Sequence, residues 1–345
     1  MNGRSRRADG RDGRLGAMRS YPYVTGAATA LLLLSAAAVP ASAAEHGDFT
    51  LQDPRIKESS GLAASRAHPG VYWTHNDQDQ ARIFAVDGKT GKTVATVTFT
   101  GVGEPRDMEA ISIGPDGRIY IGDIGDNFKG RWQHVWIYAF PEPKTLGDTT
   151  VRATQYTVQY ANGPRDAEAL MIHPKTGRAY IASKEENGGQ LYEGPAKLAS
   201  TGTNVFRPIE GEVPWVTDGA FSPDGTELVL RTYISARKYP WKDGKPGTDE
   251  RVKVPIQGQS ESVTYTLDSS AMMFGSEGTG SEVQAIATGE GGDGKGSGGG
   301  ADAGADGDGD GDGITERNTF TNGALALGAV VLLWFGLRKV LRKKG

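Results

Sequence analysis

Between Glu58 and Ile286 the chain repeats one pattern: a short acidic or hydroxyl-bearing start, an apolar run, a Gly/Pro/Asp turn, then a second apolar run. Pro105-Arg106-Asp107-Met108-Glu109-Ala110-Ile111 recurs as Pro164-Arg165-Asp166-Ala167-Glu168-Ala169-Leu170. The first copy continues through Gly114-Pro115-Asp116-Gly117 to Arg118-Ile119-Tyr120-Ile121-Gly122, and the second through His173-Pro174-Lys175-Thr176-Gly177 to Arg178-Ala179-Tyr180-Ile181-Ala182. Apolar runs of this length bounded by turn residues predict strands, so one hairpin is used twice. Weaker copies lead from Glu58-Ser59-Ser60-Gly61-Leu62 to Val71-Tyr72-Trp73, from Asp218-Gly219-Ala220-Phe221 to Leu228-Val229-Leu230, and from Glu261-Ser262-Val263-Thr264-Tyr265 to Met272-Met273-Phe274.

Taking Ser60, Glu109, Glu168, Asp218 and Glu261 as equivalent positions gives spacings of 49, 59, 50 and 43 residues. Such periods belong to propeller blades, and the long interval contains a Pro141-to-Thr150 insertion. Further strand-like runs at Arg82–Val86, Thr93–Thr100, Val135–Tyr138 and Tyr156–Tyr160 bring a unit to four strands, the composition of a blade. The predicted class is therefore all-β, a β-propeller of five blades, with six as the alternative if residues 194–257 hide a degenerate blade. The last unit ends one strand short after Val283-Gln284-Ala285-Ile286, and Phe49-Thr50-Leu51-Gln52 is placed to complete it and close the ring.

The two ends read differently. From Met18, the expected start, Arg19 precedes an apolar stretch from Val24 to Val39 and small residues at Ala41 and Ala43, the pattern of a cleaved signal peptide over residues 1–44. Residues 45–288 form the propeller domain. Residues 289–318, rich in Gly and Asp, cannot bury enough apolar surface to offset ordering entropy and predict a flexible acidic linker. Residues 319–338 approach the length of about twenty residues that a bilayer core requires. The basic tail at 339–345, with Arg338 before it and Trp334 near that boundary, orients this C-terminal transmembrane helix with its tail in the cytoplasm. The expected location is the cell membrane, single-pass, with the propeller outside.

Residues 50–286, and Gly122-Asp123-Ile124-Gly125-Asp126-Asn127 most of all, resemble a family of secreted, membrane-anchored actinobacterial propeller proteins described as WD-repeat-like. The resemblance implies a fold and an address, and carries no established activity. The His-plus-Trp-Asp signature of true WD repeats is not evident.

Composition narrows the chemistry. The chain has no cysteine, which removes disulfides, thiolate zinc sites and cysteine nucleophiles. A net charge of -4 without a basic stripe argues against nucleic acid as a partner. No Gly-x-Ser-x-Gly elbow supports serine acyl transfer, and no histidine pair has zinc spacing.

What remains is a set of polar residues that propeller geometry would gather. In a blade the innermost strand and its neighbour run antiparallel, so the start of one and the end of the other reach the same face. The strand starts supply Glu58, Asp107, Glu109, Asp166, Glu168, Asp218 and Glu261, a candidate hard-metal set for which Ca2+ is the expected cation. The strand ends supply His75, Asn76, Asp77, Asp123, Asp126, Asn127, Lys184, Arg231 and Glu277, a candidate ligand-binding set whose members differ between blades. The bland alternative is that Asp107 and Asp166 pair with arginines or accept backbone N–H bonds that lock blades together. For His75 it is a solvated turn histidine.

Two functions are open at this point. One is a noncatalytic, membrane-anchored surface module binding an extracellular protein, peptide or glycan. The other is a metal-dependent hydrolase of phosphoesters, lactones or glycosides, with Glu109 or Glu168 on the metal and His75 or Asp123 as base.

Overall fold

The computed structural model describes residues 46–128 and 130–289. The signal peptide, transmembrane helix and basic tail expected at 1–44, 319–338 and 339–345 lie outside the described residues, as does the expected linker beyond Gly289. Among the described residues no helix is long and apolar enough to cross a membrane.

The described chain is all strand and turn. After the short β1 (Phe49–Thr50), the first antiparallel module comprises β2 (Ser59–Ala64), β3 (Val71–Asn76), β4 (Arg82–Asp87) and β5 (Thr93–Thr100). The second runs β6 (Met108–Ile113), β7 (Arg118–Asp123), β8 (Val135–Pro141) and, after β9 (Thr149–Arg152), β10 (Thr154–Tyr160). A third holds β11 (Ala167–Ile172), β12 (Ala179–Ser183), β13 (Gly189–Glu193) and β14 (Thr203–Val213). The fourth has β15 (Asp218–Phe221), β16 (Glu227–Arg231) and β17 (Ala236–Lys242), with β18 (Lys245–Pro246) and β19 (Glu250–Val252) both paired to β17. The last contains β20 (Ser260–Tyr265), β21 (Ala271–Ser276) and β22 (Glu282–Ala287).

Three of the first hairpins close on the same backbone device. Gly117, Gly177 and Gly225 adopt φ of +68°, +68° and +69°, a region that glycine enters without a Cβ penalty. In two of these turns the preceding aspartate tightens the loop, Asp116 accepting from Arg118 N and Asp224 from Thr226 N.

Two pairings depart from simple antiparallel modules. The Pro141–Thr150 insertion ends in β9, which joins the outer edge of β5 in parallel, Thr149 opposite Val97. Similarly β10 pairs in parallel with β14, fusing the second and third modules into one eight-stranded sheet. Residues 194–257 contain the long outer β14 and the fourth module.

The inner strands pack in a closed cycle: β2 lies against β6, β6 against β11, β11 against β15, β15 against β20, and β20 back against β2. Each junction has its own apolar core, so the modules adhere by face-to-face burial of large side chains. Trp73, Phe99 and Tyr138 fill the first junction, Leu170, Tyr192 and Phe206 the next, and Leu191, Leu230 and Trp241 the third. Val229 and Phe274 join the fourth module to the last, and Phe49, Tyr72, Phe84 and Met273 join the last to the first. Inside the first junction Glu142 accepts hydrogen bonds from Trp73 Nε1 at 2.7 Å, Ser65 Oγ at 2.5 Å and Ala67 N at 3.1 Å. This architecture is propeller-like.

Closure depends on the chain start. β1 pairs antiparallel with β22, Phe49 opposite Val283, so the first strand completes the last module as its outer edge. Phe49 also stacks on Tyr72 with ring centroids 5.5 Å apart, tying that edge to the first module. Gly91 is the tight point of this seam, because at φ +68° a Cβ would lie 1.7 Å from the Thr50 carbonyl oxygen. Gly91→Ala should therefore displace β1 and destabilise the domain by about 2 kcal/mol or more, read from urea unfolding. Unchanged stability would mean that β1 does not hold the ring shut.

Candidate functional site

The acidic strand starts reach the axis through a repeated irregularity in register. β6 pairs with β7 as Met108–Asp123 and then Ala110–Gly122, leaving Glu109 without an opposite residue. β11 does the same at Glu168 and β20 at Glu261. A β-bulge of this kind re-aims the extra side chain out of the ladder. Glu109, Glu168 and Glu261 are all buried, at 5%, 3% and 6% exposure. In β2 the bulge carries Ser60 and Gly61 in place of a carboxylate, and Ser60 Oγ donates to Glu109 Oε2 at 3.0 Å. β15 has no bulge: Asp218 sits directly opposite Arg231 and accepts from Gly219 N at 2.7 Å and Val263 N at 2.8 Å, linking β15 to β20.

The second strands add Asp77, Lys184 and Glu277 at equivalent positions, each just beyond its strand. Their backbone N–H groups make equivalent bonds to the carbonyls of Glu58, Asp166 and Gln259. Ligand atoms of Asp77, Asp107 and Glu109 lie within 4.8 Å of one another. Asn127 Nδ2 donates to Asp107 Oδ2 at 2.8 Å. Gly125 backs the group so closely that a Cβ there would come within 2.7 Å of Asp107 Oδ2 and 2.8 Å of Glu109 Cγ. On the other side, the Lys184 ammonium bonds Glu168 Oε1 and donates to the Tyr233 hydroxyl at 2.7 Å. Glu168 Oε2 is buried and has no hydrogen-bond partner.

Burial dominates the electrostatics, and neighbouring carboxylates reinforce it. Loss of water pushes Asp77 up to about 7, with Asp107, Glu277 and Glu261 adding repulsion. Asp107 rises to about 6 through burial and then Asp166, and Glu277 to about 7 through burial and then Glu261. Glu109 and Glu168 are held well above the usual carboxylate range by burial, aggravated respectively by Glu168 and Glu261. Burial works against the Lys184 charge, yet Glu168, Tyr233, Glu261 and Glu109 keep the ammonium well above its ordinary value. Arg231 is brought down to about 10 by burial, opposed by Glu261 and Asp218, while its guanidinium donates to Ser262 O and Gln257 Oε1.

Several predicted site residues do structural work instead. Asn76 accepts from Lys57 N and Glu58 N and donates to Arg55 O and Asp79 Oδ2. Asp123 accepts from Arg106 N, Asp107 N and the Tyr138 hydroxyl. Asp126 accepts from Phe128 N and Trp132 N, and its own N–H donates to Asp166 Oδ1 at 2.7 Å. Glu58 lies ahead of β2 with its N–H on Asn76 Oδ1. The alternative of backbone acceptance therefore describes Asp166, and no ion pair joins Asp107 or Asp166 to an arginine among the described residues. His75 is neither solvated nor in a turn: it is fully buried within β3, Nδ1 lies 3.3 Å from Asn76 O, and burial lowers its pKa to about 4. Tyr233 and Gly125 belong to the cluster too. No motif marks Tyr233, and Gly125 lies within the Gly122–Asn127 segment that carries the resemblance; both follow strand ends in the face-sharing geometry.

No protein-family model matches the chain, and no curated protein sequence matches it. Among solved structures it is similar to the PQQ-bound form of aldose sugar dehydrogenase from Streptomyces coelicolor, at 11% identity and a TM-score of 0.40, covering 70% of this chain and 99% of that one. It is also similar to U3-55K, at 9% identity and a TM-score of 0.39, covering 70% of this chain and 98% of the other. At these scores neither likeness brings its neighbour's chemistry with it.

The raised carboxyls make a prediction about pH. Asp77 and Glu277 titrate near 7 when folded against ordinary values of 3.8 and 4.5, so between those limits the folded state holds more protons than the unfolded one. Their contribution is complete below the ordinary values and is lost as pH rises toward 7. Urea unfolding in EDTA should show stability falling across this window, with a shallower slope in Asp77→Asn. A metal-free stability that climbs over the same range would contradict the burial of these groups.

Proposed function

We propose that the chain is a five-bladed, noncatalytic binding module, exported and tethered to the membrane, whose axial mouth holds a calcium-class cation between Asp77, Asp107 and Glu109. The carrying observation is the convergence of these three carboxylates, with ligand atoms within 4.8 Å, beside a Lys184 ammonium already committed to Glu168 and Tyr233. Hard oxygen donors in a group of this charge suit calcium, and a bound divalent ion would relieve the repulsion that raises their pKa values. The unpartnered Glu168 Oε2 is a second sign that the cluster is short of positive charge.

Binding is favoured over hydrolysis because the candidate bases are not available. His75 is enclosed and neutral, and Asp123 is occupied by backbone and tyrosine donors. The ligand at the mouth would be an extracellular protein, peptide or glycan meeting an acidic centre flanked by the exposed Phe128, Ile234 and Ile256.

Calcium should stabilise the full chain relative to EDTA by about 2.7 kcal/mol when it is about a hundred times its dissociation constant, read as a higher melting temperature. Asp107→Asn should act in opposite senses, stabilising the metal-free chain by removing repulsion while abolishing the calcium increment. An unchanged melting temperature with calcium would overturn the cation site. The address rests on the apolar runs at the two ends, and deletion of residues 319–345 should move the chain from the membrane to the soluble fraction.

A further inference from the structure

The inner strands are polar at one end only. Their starts carry Asp107, Glu109, Glu168, Asp218 and Glu261, whereas their far ends carry Leu62, Ile113, Ile172, Phe221 and Tyr265. Residues from the far ends of β2, β6, β11, β15 and β20 together line a cavity of about 360 Å³. It therefore lies at the opposite end of the same axis from the carboxylates. Its size falls within the range of small-molecule sites, about 300 to 1,000 Å³.

The side chains around it are mostly apolar, although polar atoms, backbone included, make up about half of its exposed lining. The Ser112 hydroxyl already accepts from Ile172 N at 3.1 Å, which closes the seam between β6 and β11. Phe221 is held edge-on by Tyr180 and Trp241, with centroids 5.5 and 4.9 Å away, so one wall is a fixed aromatic surface. Arg66 is the cationic residue of the lining, and it forms no ion pair or hydrogen bond among the described residues. The carboxylate of nearby Glu142 is taken by Trp73, Ser65 and Ala67. A half-open cleft that offers apolar side chains, polar atoms and one cation is complementary to a ligand with a compact hydrophobic body and one negative charge.

We propose that this cavity is a binding site for a small amphipathic carboxylate, its hydrocarbon body against Leu62, Ile113, Ile172 and Phe221 and its carboxylate on the Arg66 guanidinium. The site is independent of the cation cluster, which is built from the other ends of the strands.

Isothermal titration of the full chain with sodium octanoate tests this, with octan-1-ol as the uncharged comparator. Octanoate should bind with a dissociation constant below about 1 mM, and octanol at least about tenfold more weakly. Arg66→Gln, an exposed position, should reduce octanoate to the strength of octanol. Ala220→Trp should fill the chamber and abolish binding of both, its fold checked by an unchanged far-ultraviolet dichroism spectrum. Absence of octanoate binding, equal affinity for acid and alcohol, or octanoate affinity unaltered in Arg66→Gln would each overturn the assignment. Wild-type octanoate binding by a folded Ala220→Trp would overturn it too, placing the acid on the outer surface.

Discussion

Inner strands that all begin at the same end of a closed cycle force whatever their first residues carry into one small volume. Here those residues are mostly carboxylates, and the bulges at Glu109, Glu168 and Glu261 turn them out of the ladders toward one another. The rest of the site is a response to that constraint. Burial and mutual repulsion raise the Asp77 and Asp107 carboxyls, Lys184 and Arg231 supply balancing charge, and Ser60, Asn127 and Tyr233 donate to Glu109, Asp107 and Glu261. A buried like-charge group is costly unless something neutralises it, which is why an acidic axis is a natural place for a cation.

Scaffold and specificity use the same positions differently. The last paired residues of the second strands, Asn76, Asp123 and Arg231, hold backbone groups of the inner strands or of the adjoining module. One residue further on the side chains diverge, with Asp77, Lys184 and Glu277 in equivalent places. Repetition thus builds the ring, and departures from it make the mouth asymmetric: acid comes from every module but the ammonium and phenol come from the third and fourth. The far end of the axis carries no carboxylate in its lining, which combines apolar side chains with Ser112, Thr264 and the Arg66 guanidinium.

The architecture was readable because a propeller is built from local repeats, and the recurrence of Pro-Arg-Asp-x-Glu with its Gly-turn reports hairpins whose partners are near in sequence. Even the distant closure by Phe49 could be anticipated, since a unit one strand short requires an edge partner. Strand direction alone puts Asp107, Glu109, Asp166, Glu168, Asp218 and Glu261 at the same ends of the inner strands. Strand direction does not say which oxygen meets a backbone N–H. Type and position along the chain therefore do not separate Asp123 from Asp77, and strand direction points His75 to the mouth although its ring is buried within β3.

Period and alternation along the chain specify the repeated hairpins, their turns and the end of each inner strand that carries acid, but not the parallel pairings of β9 with β5 and β10 with β14. The packing of modules settles which carboxylates converge at the axis, that Lys184 is engaged by Glu168 and Tyr233, and that the opposite end opens into a cleft lined mostly by apolar side chains. Those outcomes depend on contacts between modules and on the loss of water at the axis, and neither quantity is written in the spacing of residues.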